Sequence, residues 1–271
     1  MTTTPPKISV ITVVRNAAGE LEKTIKSVLG QDYPQVEFIV IDGGSSDGTV
    51  EIIRDYAEQL DCWISEPDQG IYDAMNKGLA KATGEWVNFM NAGDLFFDGH
   101  VLSAIFNQDL QGAEVVYGDS IAQYPGFKAN RKALSTEDLW KGMICCHQAM
   151  FFRTDLIKKE AYRPDLYFSA DYEMALRFFS KGKKFRYLPE NIAVFDTRGA
   201  SNLNMVKSAR SNLEILNSVR QLTPEEIGFH RRVIRKARLT EGLYRVVPSF
   251  LMELLMKRLY RNQIVHESNH L

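Results

Sequence analysis

Val36-Glu37-Phe38-Ile39-Val40-Ile41 running straight into Asp42-Gly43-Gly44-Ser45-Ser46-Asp47-Gly48-Thr49 is the stretch that decides the fold. Six residues rich in β-branched side chains are too short for a buried helix, and the glycines and small polar residues that follow break the strand abruptly. Residues 50–60 then take up helical spacing. Outward from this unit the pattern repeats. A β-branched run at 8–14 precedes a helical stripe at 21–29, with Leu21, Ile25, Val28 and Leu29 on one side, and a strand at 62–65 leads to a helix at 71–82. A fourth strand follows at 86–90. Four strand–helix units with near-continuous apolar strands predict an α/β fold with a parallel sheet and helices on both faces. Beyond Ala113 the rhythm loosens. Strands are expected at 114–117, 149–152 and 185–188, with a polar stretch up to Leu139 and a helix at 172–180. This half is read as completing the same sheet and adding a second wall to the cleft. After about residue 205 the chain turns helical and basic.

The 271 residues suffice for a substantial core, and hydrophobic residues at 45% with charged ones at 25% exclude wholesale disorder and a polytopic membrane protein. Lys+Arg 33 against Asp+Glu 34 leaves a formal net charge of -1, so no nucleic-acid partner is expected. Cys62, Cys145 and Cys146 cannot make an even disulfide framework, and the adjacent pair lacks metal-knuckle spacing. Residues 1–7 lack a signal-length apolar core, and no run reaches the roughly 20 apolar residues that cross a bilayer. These features predict a cytoplasmic protein.

In an open parallel sheet, ligands bind beyond the carboxyl ends of the strands. Those ends carry Arg15-Asn16, Asp42-Gly43-Gly44, Glu66-Pro67-Asp68 and Asn91-Ala92-Gly93-Asp94. Three of the four loops present a carboxylate, a lining suited to base and ribose donors and to a divalent cation. Asp47 and Thr49 fit local caps and turn formers. Asp42, at the strand end, is the functional candidate. Neither the Gly-x-x-x-x-Gly-Lys-Ser/Thr phosphate loop nor the dinucleotide Gly-x-Gly-x-x-Gly occurs.

Residues 8–16, the 42–49 loop, Asn76-Lys77-Gly78 ahead of Gly84-Glu85-Trp86, and the acidic loop 91–94 resemble glycosyltransferase family 2, well over 8–120 and more loosely over 147–205. The resemblance implies a GT-A, Rossmann-like fold with a mixed, mainly parallel sheet. It also implies a nucleotide-diphosphate sugar, most often a UDP-sugar, a divalent Mn2+ or Mg2+, and inversion at the anomeric carbon. By match to the family's motifs, Asp42 contacts the donor's base, Thr12, Arg15 and Asn16 line the nucleotide pocket, and Asp68 and Asn91 join them from neighbouring loops. The family's Asp-x-Asp-Asp is spelled Asn91-Ala92-Gly93-Asp94 here, so Asp94 alone remains to hold the metal. Ser169-Ala170-Asp171-Tyr172-Glu173 resembles the second acidic motif, which makes Asp171 the general base; by itself Asp171 would equally suit a helix cap. His147 matches a histidine–glutamine pair of related transferases and is either an acceptor or phosphate contact or a structural histidine. Arg198 suits a diphosphate or a plain surface position. His266-Glu267-Ser268-Asn269-His270 spells a zinc-protease motif at the chain's end, where nothing follows to enclose a metal, and is set aside.

Arg231, Arg232, Arg235, Lys236, Arg238, Arg245, Lys257, Arg258 and Arg261 make the C-terminal stretch strongly basic. On a helix, Leu251, Met252, Leu255, Met256 and Leu259 share one side. That side suits an anionic membrane surface, the catalytic domain or a second copy in a homodimer. The sequence therefore predicts a catalytic domain over 1–205, with a nucleotide-sugar half over about 8–120 and an acceptor half over 121–205, and a helical basic extension over 206–271. The expected enzyme is a hexosyl- or N-acetylhexosaminyl-transferase of cell-surface polysaccharide or lipopolysaccharide assembly. It would act on a glycan or lipid-linked acceptor, peripherally on the cytoplasmic face of the inner membrane. Two alternatives stand beside it: a nucleotidyltransferase that makes sugar nucleotides, and a catalytically silent glycan-binding scaffold.

Overall fold

A computed structural model describes residues 5–199 and 204–265, so the zinc-protease spelling at 266–270 lies outside the described residues. The first half alternates as its periodicity requires: β1 (Ile8–Val14), α1 (Ala18–Leu29), β2 (Val36–Asp42), α2 (Thr49–Asp55), β3 (Cys62–Ser65), α3 (Ile71–Lys81) and β4 (Trp86–Phe89). The second half contains β5 (Leu95–Phe96), α4 (Val101–Phe106), β6 (Val115–Tyr124), β7 (Phe127–Arg131), β8 (Met150–Arg153), α5 (Thr154–Lys159), α6 (Ala170–Ser180) and β9 (Phe185–Asp196). Three helices follow: α7 (Met205–Val219), α8 (Pro224–Val246) and α9 (Ser249–Leu259).

All nine described strands form one sheet in the order β3-β2-β1-β4-β8-β6-β9-β5, with β7 paired to β6. The amino half is parallel throughout, whereas β8 runs antiparallel to both β4 and β6. Strand alternation gives each sheet face its own core. Ile11, Val13, Ile39 and Ile41 meet Met75 and Leu79 of α3 and Met174 and Phe178 of α6; Val10, Val14, Phe38 and Val40 meet Leu21, Ile25 and Val28 of α1 and Ile105 of α4.

Two elements differ from expectation. The polar stretch after residue 117 is a hairpin, β6 extending to Tyr124 and β7 returning from Phe127. Its outer residues Asp119, Gln123 and Lys128 hide the alternation, while Ala122, Tyr124, Phe127 and Ala129 form a small separate core. Strand β9 continues through Pro189-Glu190 to Asp196, because it bulges opposite Gly118 and Asp119 and leaves Pro189 and Glu190 out of the register.

At the amino ends of the strands, far along the sheet from the loops that carry chemistry, Glu37 accepts from Lys7 Nζ at 2.8 Å, Ser9 Oγ at 2.5 Å and the Thr83 amide at 2.7 Å. Burial works to raise its pKa, but these donors hold it down to about 2 from the ordinary 4.5. The folded value lies below the unfolded one, so the stabilisation is complete above about pH 4.5 and is lost as pH falls through 2. Glu37→Gln should cost about 3 kcal/mol at neutral pH in urea denaturation, and the two proteins should converge as the pH approaches 2.

Candidate active site

The Gly43 amide donates to Val14 O at 2.9 Å and the Ala92 amide donates to Val13 O at 3.1 Å, so the 42–49 and 91–94 loops leave the sheet on either side of the end of β1. Asp42 has no exposed surface. Its Oδ2 accepts from the Gly44 and Ser45 amides at 3.1 and 3.0 Å and from Ser65 Oγ at 2.7 Å, and its Oδ1 accepts from Ser45 Oγ. The carboxylate is thus saturated within the protein and fixes the loop's shape. Asn16, at φ 50°, closes the loop from the other side, its amide donating to Ser45 Oγ at 2.7 Å and its Oδ1 accepting from the Ser46 amide at 2.9 Å. Asp68 Oδ2 and Arg15 Cδ lie over Gly43, where a Cβ would collide with the Asp68 carboxylate. Arg15, Asn16, Asp42 and Asp68 therefore share one neighbourhood. Thr12 differs from its expected place: it is fully buried in the sheet and its hydroxyl donates to Met90 O at 2.8 Å, bracing β4. Asp47 and Thr49 do act as local fasteners, Asp47 accepting from the Thr49 and Ala18 amides. An open groove of about 470 Å³ borders this loop on the side of Glu51, Arg54 and Ser65.

Because β8 is antiparallel to β4, the short 3-10 turn that precedes it, His147–Ala149, is delivered to the carboxyl end of β4 and meets the 91–94 loop. Gln148 Nε2 donates to Asp94 Oδ2 at 2.5 Å, and His147 Nε2 lies 2.9 Å from Asn91 Nδ2. Strand β5 pairs with β9 directly after Asp94, so the Asp196 amide donates to Asp94 Oδ1 at 3.1 Å. Burial pushes Asp94 up to about 7, partly offset by Gln148 and the Asp196 amide and reinforced by the charge of Asp196. Arg198, 68% exposed in its side chain, chelates Asp196 with Nε at 3.0 Å and Nη2 at 2.5 Å.

Asp171 lies in the first turn of α6, one residue inside its start, with Ser169 at the cap position. Its Oδ1 accepts from the Tyr172 amide at 2.9 Å and from Tyr72 Oη of α3 at 3.2 Å, and its Oδ2 lies 3.9 Å from His147 Nδ1. Four of the expected residues thus form a connected wall, Asn91 and Asp94 on one loop joined through the 147–148 turn to Asp171. The arrangement offers a carboxylate base, a buried carboxylate and a guanidinium around one strand end.

Among the described residues no group of three His, Cys, Asp or Glu side chains could hold a metal ion alone. Asp94 supplies one carboxylate, and each of its oxygens keeps a second lone pair. That is the minimum for Mg2+-like binding, in which substrate phosphates and water complete the shell. At the position of the family's second carboxylate the backbone disfavours a side chain. Gly93 sits at φ 99°, and its amide donates to Thr24 Oγ1 at 3.0 Å while that hydroxyl donates to Asp94 O at 2.9 Å.

Comparison with known proteins agrees with this geometry. The family described as Glycosyl transferase family 2 matches residues 9–182. A PGL/p-HBAD biosynthesis glycosyltransferase of Mycobacterium bovis is 31% identical over 208 residues, covering 74% of this chain and 81% of that one. The mannosyltransferase PcManGT from Pyrobaculum calidifontis, in complex with GDP-Man and Mn2+, superposes with a TM-score of 0.65 at 18% identity over 96% of this chain and 83% of its own. S. aureus TarS 1-349 in complex with UDP gives 0.61 at 16% identity, over 93% and 78%. These two structures share the GT-A fold.

Sequence reading passed over Gln148, Asp196 and Tyr72. The first two sit beside residues it singled out, whereas Tyr72 merges into the buried stripe of α3. The turn at Gly93 yields a test: Gly93→Asp, which respells the family's second carboxylate, should cost about 1–3 kcal/mol in thermal or urea denaturation, because the left-handed backbone penalises any side chain there. An unchanged melting temperature would show that the turn adapts freely.

Proposed function

The chain belongs to glycosyltransferase family 2, and we propose that it transfers a sugar from a nucleotide-diphosphate donor, a UDP-sugar, to a hydroxyl of a glycan or lipid-linked acceptor with inversion. The observation that carries this reading is the turn at 147–148, which ties Asp94 and Asp171 into one wall beside the end of β1. In this reading residues 8–120 bind the nucleotide sugar, 121–205 the acceptor, and 206–271 form the extension. Asp42 serves the nucleoside through the loop it pins, with Arg15, Asn16 and Asp68 along its rim. Asp171 takes the proton of the acceptor hydroxyl. The freed oxygen attacks the anomeric carbon from the face opposite the diphosphate, whose bond to the sugar breaks and leaves as nucleoside diphosphate. Asp94 would hold a Mn2+ or Mg2+ on the diphosphate; such an ion, when bound, offsets the charge of the leaving group. Arg198 is placed to exchange Asp196 for phosphate oxygens.

We infer that the enzyme works at an anionic membrane, on the cytoplasmic side. Among the described residues no helix is long and apolar enough to cross a membrane. Helix α9 splits the stripe expected of it. Met252 is buried and Met256 packs on the β6–β7 core, while Phe250 at 62%, Leu254 at 59% and Leu259 at 65% stand exposed, as do Leu239 and Val246 of α8. The same two helices carry Arg235, Lys236, Arg238, Arg245, Lys257 and Arg258. Apolar side chains amid cations fit a headgroup layer of anionic lipid.

Asp171→Asn should abolish sugar transfer while the thermal shift given by UDP with Mn2+ stays close to wild type; full activity in that variant removes Asp171 from the mechanism. The full chain should cosediment with phosphatidylglycerol vesicles and not with neutral ones. Exchanging Phe250 and Leu254 for serine should weaken that binding at least about tenfold. Loss of a concentration-dependent dimer in the same variant, with vesicle binding unchanged, would assign the face to a second copy instead.

A further inference from the structure

Asn91, 8% exposed, directs its amide Nδ2 at His147 Nε2 at 2.9 Å, and its own Oδ1 is buried without a hydrogen-bond partner. A ring nitrogen that accepts from an amide carries no proton, so the proton of a neutral imidazole sits on Nδ1. Nδ1 faces Asp171 Oδ2 at 3.9 Å. The other carboxylate oxygen, Oδ1, is occupied by the Tyr172 amide and Tyr72 Oη, which leaves Oδ2 as the oxygen able to receive a proton. Only a fifth of each of the two side chains is exposed. Burial favours the neutral imidazole, while the charge of Asp171 works the other way. Tyr162 and Cys145 also lie within reach of that charge, both held protonated by burial.

We propose that His147 is a positioning residue for Asp171: Asn91 fixes the imidazole with its Nδ1–H toward Asp171 Oδ2, and that N–H holds the carboxylate in the orientation that takes the acceptor's proton. At 3.9 Å the separation is longer than a hydrogen bond, and it closes as the reacting groups are brought together. The asparagine thereby gains a reason. An aspartate at 91, as the family spells it, would accept from Nε2, charge the ring and set a cation against the carboxylate that has to become protonated. Asn91 and His147 are a matched pair, and the departure from the acidic spelling is part of the device.

This inference rests on the transferase reading, and two measurements separate their failures. Side-chain 15N NMR of the full chain reads the tautomer without turnover; the chain has five histidines, and the His147→Asn spectrum assigns the signal. The expected result at about pH 7 is an unprotonated Nε2 and a protonated Nδ1, changing to imidazolium in Asn91→Asp. A protonated Nε2 in the wild type overturns the proposal. The second measurement is hydrolysis of UDP-glucose and UDP-N-acetylglucosamine with Mn2+. His147→Gln, whose amide reaches the Nε2 position, should lose about tenfold to a hundredfold in kcat with KM within about twofold, the range expected for a hydrogen bond to a charged group. His147→Asn, whose amide occupies the Nδ1 position, should recover most of that loss. Equal rates for Gln, Asn and wild type also overturn the proposal, provided each variant keeps the wild-type UDP thermal shift. A wild type that neither binds nor hydrolyses any nucleotide sugar would instead sink the transferase reading, and the role of His147 with it.

Discussion

The hydrogen bond from Gln148 Nε2 to Asp94 Oδ2 is the contact on which the rest of the site depends. It joins the parallel half of the sheet, which ends in the 91–94 loop, to the mixed half that begins with the antiparallel strand β8. A carboxylate so deeply buried is costly to keep charged unless donors surround it. Gln148 and the Asp196 amide supply two, and each arrives from a different strand. The loop, the turn before β8 and the end of β9 are therefore held in one arrangement, and Asp171 joins it through the neighbouring His147. Had β8 run parallel to β4, its preceding turn would lie at the opposite end of the sheet.

Much of this was legible in residues alone. The parallel half announced itself through short β-branched runs ending in Asp-Gly-Gly and Asn-Ala-Gly-Asp, because strands buried on both faces have little freedom of composition. Asp94 and Asp171 were found by spelling, and they share a wall. What stayed hidden had physical causes. The β6–β7 hairpin intersperses Asp119, Ser120, Gln123, Lys128, Asn130 and Arg131 among its apolar residues and so reads as loop. Strand β9 survives Pro189 because β9 itself bulges there, Pro189 and Glu190 standing outside the pairing register with β6. Thr12 sits at a strand position that looks like a pocket rim, yet its short side chain turns inward to Met90. The duties of Gln148 and Tyr72 depend on which elements the topology brings together, and no local pattern encodes that.

The two sides of the strand ends are prepared differently for a ligand. Around Asp42 the carboxylate and the Gly44, Ser45 and Ser46 amides already have partners, and Asn16 holds a left-handed backbone that closes the loop. Such a loop loses little freedom when a nucleoside docks against it. Around Asp94 the balance is less complete: the carboxylate is buried close to its protonation point, and Arg198 is paired with a neighbour of its own loop. In the proposed reading, recognition of the base falls to a preformed surface, and recognition of charge to groups that can change partners.

The outer edge of β7 is covered by the chain's own C-terminal segment, through a bridge between Ala129 and Ile264 and the Val265 amide donating to Lys128 O at 2.9 Å. An uncovered strand edge is a template for pairing with another molecule. The extension accordingly guards the sheet as well as offering an outward face. Shortening the protein to strip away that face would bare the hairpin's rim and invite chains to stick together, so the two duties of the tail come apart only through exchanges of single outward side chains.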